Sequence, residues 1–393
     1  MKKSLAASAT LLTLALTGGL AATSSPALAT AAGTSQARAT SGLTPAETKA
    51  LAAELKTLTA GTSTVAAQLK TSLDLDGLGG AVDEVIDPSA YSCNAATPVR
   101  TWLNAQSADW TPEDRDLAAV IRSLDPVLND AVLWPQDAGS SYGVSGEFTR
   151  PVTHTFRDLG RFWDIDSTAI RLTPLHGAML TDRAKLFRVF NVGYGLPASI
   201  ATAWADEVAT AMNQPKFRFG NHPYFTFNAF AFQGLTIPGF GVVPPQIVMG
   251  DGVLAGFQAL GFADVTAQAV LAHEYGHHVQ FQRDLFRTTL TGPEATRRTE
   301  LMADAFGAYF LTHARGDALQ AKRIQEFNQV FFQLGDCGFT SANHHGTPNQ
   351  RLRSAAWGYS VAANAANQGH VLPSLTFASL FDQKLPELVA PDA

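Results

Sequence analysis

The sequence predicts an α+β protein, mainly helical with a small sheet. Three observations carry this. Apolar residues recur at helical spacing near the start of the chain and over much of its second half. Short extended runs rich in aromatic and β-branched residues lie between, at 168–172, 225–232 and 246–249. Hydrophobic residues make up 46% of the 393, so the chain can bury a real core and wholesale disorder is excluded. Strands followed mainly by helices give α+β rather than a regular α/β alternation.

Taken in order, Thr44-Pro45-Ala46-Glu47 opens a helix with a Thr N-cap and a Pro in the first turn, and Leu51, Leu55 and Leu58 line one face. Val65, Leu69 and Leu73 predict a second short helix, and Leu78-Gly79-Gly80 a break. Thr111-Pro112-Glu113-Asp114 starts another helix. The run at 168–172 reads as a strand stopped by Thr173-Pro174. Leu196-Pro197 introduces a helix to about Asn213, with Ile200, Trp204, Val208 and Met212 on one face at spacing four, the expected apolar stripe. Residues 225–232 and 246–249 read as strands, the second ended by Gly250-Asp251-Gly252. Asp264 is the expected N-cap of a helix through Val265, Val270, Leu271 and Val279.

At the N-terminus, Lys2 and Lys3 precede an apolar stretch over 5–20, and Ala27-Leu28-Ala29 is a small-x-small cleavage pattern. Residues 1–29 are therefore expected to be a signal peptide and the mature chain to be secreted. The stretch is short and interrupted by Thr17, Gly18 and Gly19, so no membrane anchor is expected in the mature chain. Residues 30–90 read as a linker and a helical segment, which could be a pro-region, a docking arm or simple packing. Residues 91–393 read as one domain. An oxidising compartment predicts a disulfide between the two cysteines, Cys93 and Cys337, with a stabilisation of roughly 5 kcal/mol on the chain-entropy model. The balance of 28 Lys+Arg against 34 Asp+Glu, net −6, gives no nucleic-acid surface.

The chemistry is concentrated in His273-Glu274-Tyr275-Gly276-His277. Histidines four apart project from one helical face and can share a metal ion, while Glu274 can reach a water on that ion. Beyond a break at Gly292-Pro293, Glu300-Leu301-Met302-Ala303-Asp304 sets two carboxylates four apart on a new helix. Glu300 is the expected third zinc ligand, and Asp304 the acceptor that orients a ligating imidazole. Gly276, Ala303, Gly307 and Ala308 are small enough to let the two helices approach closely. His278 is read as a core histidine bonded to backbone.

These residues resemble the gluzincin clan of zinc metallopeptidases, and within it the bacterial neutral zinc metallopeptidase family. That family shows H-E-x-G-H-H-V-Q, E-L-x-A-D and H-G-[ST]-x-x-Q-R; here the matching segments are His273 to Gln280, Glu300 to Asp304 and His345 to Arg351. The likeness covers roughly residues 220–360. It implies a zincin-like domain with the zinc site between the two helices and a small sheet whose edge strand binds extended peptide. Asn228-Ala229-Phe230-Ala231 is similar to that edge segment, although Phe225, Phe227, Phe230 and Phe232 would also suit an interior strand. His345, with His344 as the alternative, is the candidate donor to the oxyanion; Tyr275 and Tyr359 are weaker candidates. Arg351 is expected to brace its loop by a bidentate carboxylate contact.

The expected activity is hydrolysis of peptide bonds in a peptide or protein substrate. Zinc on His273, His277 and Glu300 would activate a water, and Glu274 would act as general base. Two alternatives stay open: a zinc hydrolase of a non-peptide or cell-wall amide bond, and a secreted binding protein with a structural zinc.

Overall fold

The computed structural model describes residues 43–57, 64–75, 92–93, 96–135, 139–290, 292–319, 321–335, 344–364 and 369–392. The expected signal peptide, Leu58, the break at Leu78-Gly79-Gly80 and Cys337 lie outside them. Cys93 is described, but its pairing with Cys337 remains an expectation.

Helices α1 (Pro45–Lys56), α2 (Val65–Leu75), α3 (Pro98–Gln106), α4 (Pro112–Leu124), α5 (Pro126–Leu133) and α6 (Thr149–Phe162) precede the first strand. Several begin for the same local reason. Thr44 and Thr111 each accept a hydrogen bond from the third backbone N–H of their helix, a Pro occupies the first turn, and Glu47 or Asp114 returns the bond. Strand β1 (Arg171–Leu175), helices α7 (Arg183–Arg188) and α8 (Ala198–Met212) and strands β2 (Ala229–Phe232), β3 (Leu235–Ile237), β4 (Gly241–Val243) and β5 (Gln246–Gly250) follow. The chain then runs through α9 (Asp251–Ala259), α10 (Ala263–Gln282), α11 (Gly292–Thr312), α12 (Ala321–Leu334), α13 (Pro348–Ala363) and α14 (Ser374–Leu388). Among the described residues the fold is mostly helical with a small sheet, an α+β arrangement.

The main sheet has the order β1-β5-β2, with β1 parallel and β2 antiparallel to β5, while β3 and β4 form a separate hairpin. Strand β5 is buried throughout and separates two cores by simple alternation. Ile247 and Met249 join the core built on α6, α10, α11, α13 and α14. Val248 joins the one built on α1, α4, α5 and α8, which also buries Leu51, Leu55 and Leu69.

Four sequence expectations need correction. Strand β1 begins at Arg171 and continues through Pro174, which sits opposite Met249. Because the Arg171 N–H donates to Pro245 O, alternation turns the Pro174 nitrogen to the outer side of an edge strand, where no ladder bond is lost. The buried face of α8 is Ala201, Ala205, Val208 and Met212, and Ile200 is exposed. Residues 225–228 are not strand, since Pro223–Phe225 is a short 3-10 turn and β2 starts at Ala229. Helix α10 starts at Ala263 with Phe262 at the cap position, so Asp264 lies inside the helix.

Candidate metal centre

Helices α10 and α11 cross where each carries a glycine. A Cβ on Gly276 would stand 3.1 Å from the Ala303 Cα, and one on Gly307 would stand 3.2 Å from the His273 backbone nitrogen. This close approach, expected from the small residues, brings His273, His277 and Glu300 together: one ligand atom from each lies within 4.8 Å of the others.

Each imidazole is held from behind. His273 Nδ1 donates to Asp304 Oδ1 at 2.9 Å. Asp304 is fully buried and receives both Nε and Nη2 of Arg351, the first at 2.7 Å. His277 Nδ1 donates to Gln280 Oε1 at 2.8 Å, and the Gln280 amide donates to Thr299 O on α11 at 2.8 Å. With both Nδ1 atoms committed, the two Nε2 atoms turn towards each other, 3.2 Å apart. Glu300 closes the set, with Oε2 3.4 Å from His273 Nε2 and Oε1 3.5 Å from His277 Nε2.

Converging donors of this kind either share a proton or hold a cation. Burial works against charge on His273, but the carboxylates of Asp304 and Glu300 overcome it and raise its pKa to about 10. His277 is pushed down to about 4, mainly by burial, and so offers a neutral imidazole. Burial opposes ionisation of Glu300 as well, yet its electrostatic contacts with the surrounding imidazoles, first His345, and the hydrogen bonds from His273 and His345 hold its carboxyl well below the usual range. A divalent cation would replace the His273 proton against an anionic carboxylate and two imidazoles. The two-nitrogen, one-oxygen donor set fits zinc.

Glu274 lies beside this set, and burial pushes its carboxyl up to about 7; the charge of His273 opposes the rise and that of Glu300 adds to it. The Ala231 N–H of β2 also bonds to the Glu274 carboxylate. A carboxyl near 7 can take and return a proton at neutral pH. The three candidate ligands, Glu274 and residues 227–231 line one cleft of about 620 Å³.

His345 lies in the cleft, 47% exposed, with Nδ1 2.9 Å from Glu300 Oε2, whereas His344 is fully buried. Arg351 makes the expected bidentate contact, and its partner is Asp304. His278 is buried with Nε2 2.9 Å from Gln246 O, the structural role expected of it. Tyr275 is turned away from the cleft, with its ring against Phe156 and its hydroxyl near Gly160. Tyr359 packs on the first core. Neither tyrosine therefore belongs to the site. Sequence reasoning quoted Gln280 but gave it no part; its place three residues after His277 on the same helix was the available clue.

Comparison of the chain with models of protein families, with curated proteins and with solved structures finds no match.

Proposed function

We propose that this protein is a secreted zinc metallopeptidase. The observation that carries the reading is the convergence of His273, His277 and Glu300 beside Glu274, under an edge strand and in one cleft. A purely structural metal site has no need of a carboxyl poised near neutrality next to its ligands. His273, His277 and Glu300 would hold the ion. Bound there, zinc supplies a Lewis acid that polarises a carbonyl and lowers the pKa of a water. Glu274 takes the proton of the attacking water and returns it to the leaving amine. His345 donates to the oxygen of the substrate carbonyl as charge builds there.

Strand β2 supplies the means of holding a peptide. Gly250 N–H donates to Asn228 O, which by alternation puts the backbone of Phe230 and Phe232 towards β5 and that of Ala229 and Ala231 on the other side, where the Ala231 N–H is held by Glu274 and the Ala229 backbone and Ala231 O face the cleft. An extended substrate can add there as a further strand. The test is metal content alongside turnover of a peptide substrate. Glu274→Gln is expected to keep about one zinc per chain, as a residue outside the ligand set, while turnover falls roughly 100- to 10,000-fold. Glu300→Ala is expected to lose the metal. A zinc-free wild type after zinc is supplied, or an active Glu274→Gln variant, would overturn the proposal.

A further inference from the structure

The wall of the cleft away from the ligands is made by the first helices of the described chain. Leu69 and Lys70 of α2, Arg100 of α3 and Arg122 of α4 line the same cavity as His273 and Glu274. In a chain of net charge −6 this wall is basic. Among the described residues, no carboxylate oxygen lies within 4 Å of Lys70, Arg100 or Arg122, while cations elsewhere, such as Arg188, Lys216 and Arg298, are paired with aspartates. The one acid on the wall, Asp125, caps α5, where Oδ1 accepts from Leu128 N–H at 3.2 Å; Arg122 and Lys70 act on its carboxyl electrostatically, but neither is within ion-pair distance of it. Arg122 is half-buried and anchored by Nη1 to Phe225 O at 3.1 Å, which leaves its Nε and Nη2 groups for a ligand.

We infer that this wall selects peptides with an acidic side chain, through Lys70, Arg100 and Arg122. The inference rests on the peptidase reading and adds the substrate class. A carboxylate on an extended peptide paired along β2 can reach the anchored guanidinium of Arg122 on a wall that carries two further cations, where a neutral amide gains no charge-assisted bond. Field lines in a cleft with low-dielectric walls strengthen the preference, and salt weakens it.

The experiment uses the full-length chain carrying Glu274→Gln, loaded with zinc so that peptide binds without being cut. Short peptides with a label of zero net charge, each with one Glu moved along a Gln background, are titrated by fluorescence anisotropy. At one or two positions Glu is expected to bind about tenfold more tightly than Gln, with the gap shrinking as salt is added. Adding Arg122→Gln is expected to remove most of that gap, and Lys70→Gln with Arg100→Gln, both at exposed positions, to remove the rest. Equal binding of Glu and Gln peptides at every position, or a preference that survives all three substitutions, would overturn the inference and leave the peptidase reading standing. A chain that binds no peptide, and whose wild type cuts none, would remove both.

Discussion

At the scale of single residues, the site depends on two braces behind its imidazoles. Gln280 ties His277 to the backbone of the neighbouring helix, and loses two hydrogen bonds if truncated. Gln280→Ala is expected to weaken zinc binding by roughly 10- to 100-fold, read by competition with a chromophoric chelator. Arg351→Ala should be harsher, because it takes both guanidinium bonds from the fully buried Asp304 and leaves that carboxylate to the His273 imidazole. A loss of about 3–5 kcal/mol in urea unfolding is expected, and the guanidinium contact to Asp304 is the cause. The candidate ligands were legible because side chains that share one ion need a fixed spacing on a helix: His273 and His277 are four apart on α10, and Glu300 stands four before Asp304 on α11. Arg351 was legible as a residue with a carboxylate partner, but the identity of that partner was not. Asp304 is 47 positions away, and nothing in local sequence encodes such a meeting.

At the scale of elements, the α10–α11 crossing is set by glycine. Gly276 is in contact range of the Ala303 Cα and O and the Phe306 Cβ, so Gly276→Val must separate the helices. The expected loss is about 1–3 kcal/mol in thermal unfolding, from overpacking, together with weaker zinc binding as the ligands part. The starts of α1 and α4 were read directly from sequence, because Thr-Pro opening an apolar-periodic run is a local signal; the return bonds from Glu47 and Asp114 that complete each capping box are what the structure adds. Where the reading failed, the governing contact was distant. A spacing of four drifts by about 40° per step on a helix, so Ile200 rotates to solvent although Val208 and Met212 stay buried. Pro174 would stop an interior strand, and only the pairing of β1 with β5 alone makes it harmless. The edge position of β2 belongs to the same class: residues 229–232 look alike whether one side or both are paired.

At the scale of the whole molecule, the α+β class followed from composition and periodicity. That the first helices would wall the cleft did not, because Leu69 and Glu274 meet only through the tertiary fold. One buried charge also sets a pH dependence far from the site. Asp317 follows α11, and its Oδ2 is buried without a hydrogen-bond partner. Burial raises its pKa from 3.8 to about 6; the nearby Asp158 adds to the rise and His154 opposes it. The folded chain then holds a proton that the unfolded chain releases across this range, so the contribution of Asp317 is fully favourable below about 3.8 and is lost as pH rises through about 6. Asp317→Asn is expected to stabilise the protein by about 1 kcal/mol at pH 7, a value reduced for its partial exposure. It should also flatten the decline in stability between those limits. Chemical denaturation over a pH series checks both.

The chain leaves the ribosome from its N-terminus, and the parts of the site emerge in that order. The basic wall comes first, the two histidines and Glu300 follow, and the guanidinium that steadies Asp304 arrives only with α13. A nascent chain, or one clipped ahead of residue 348, carries every candidate ligand yet leaves Asp304 with His273 and without its guanidinium, so the brace behind that imidazole is half built until α13 is in place.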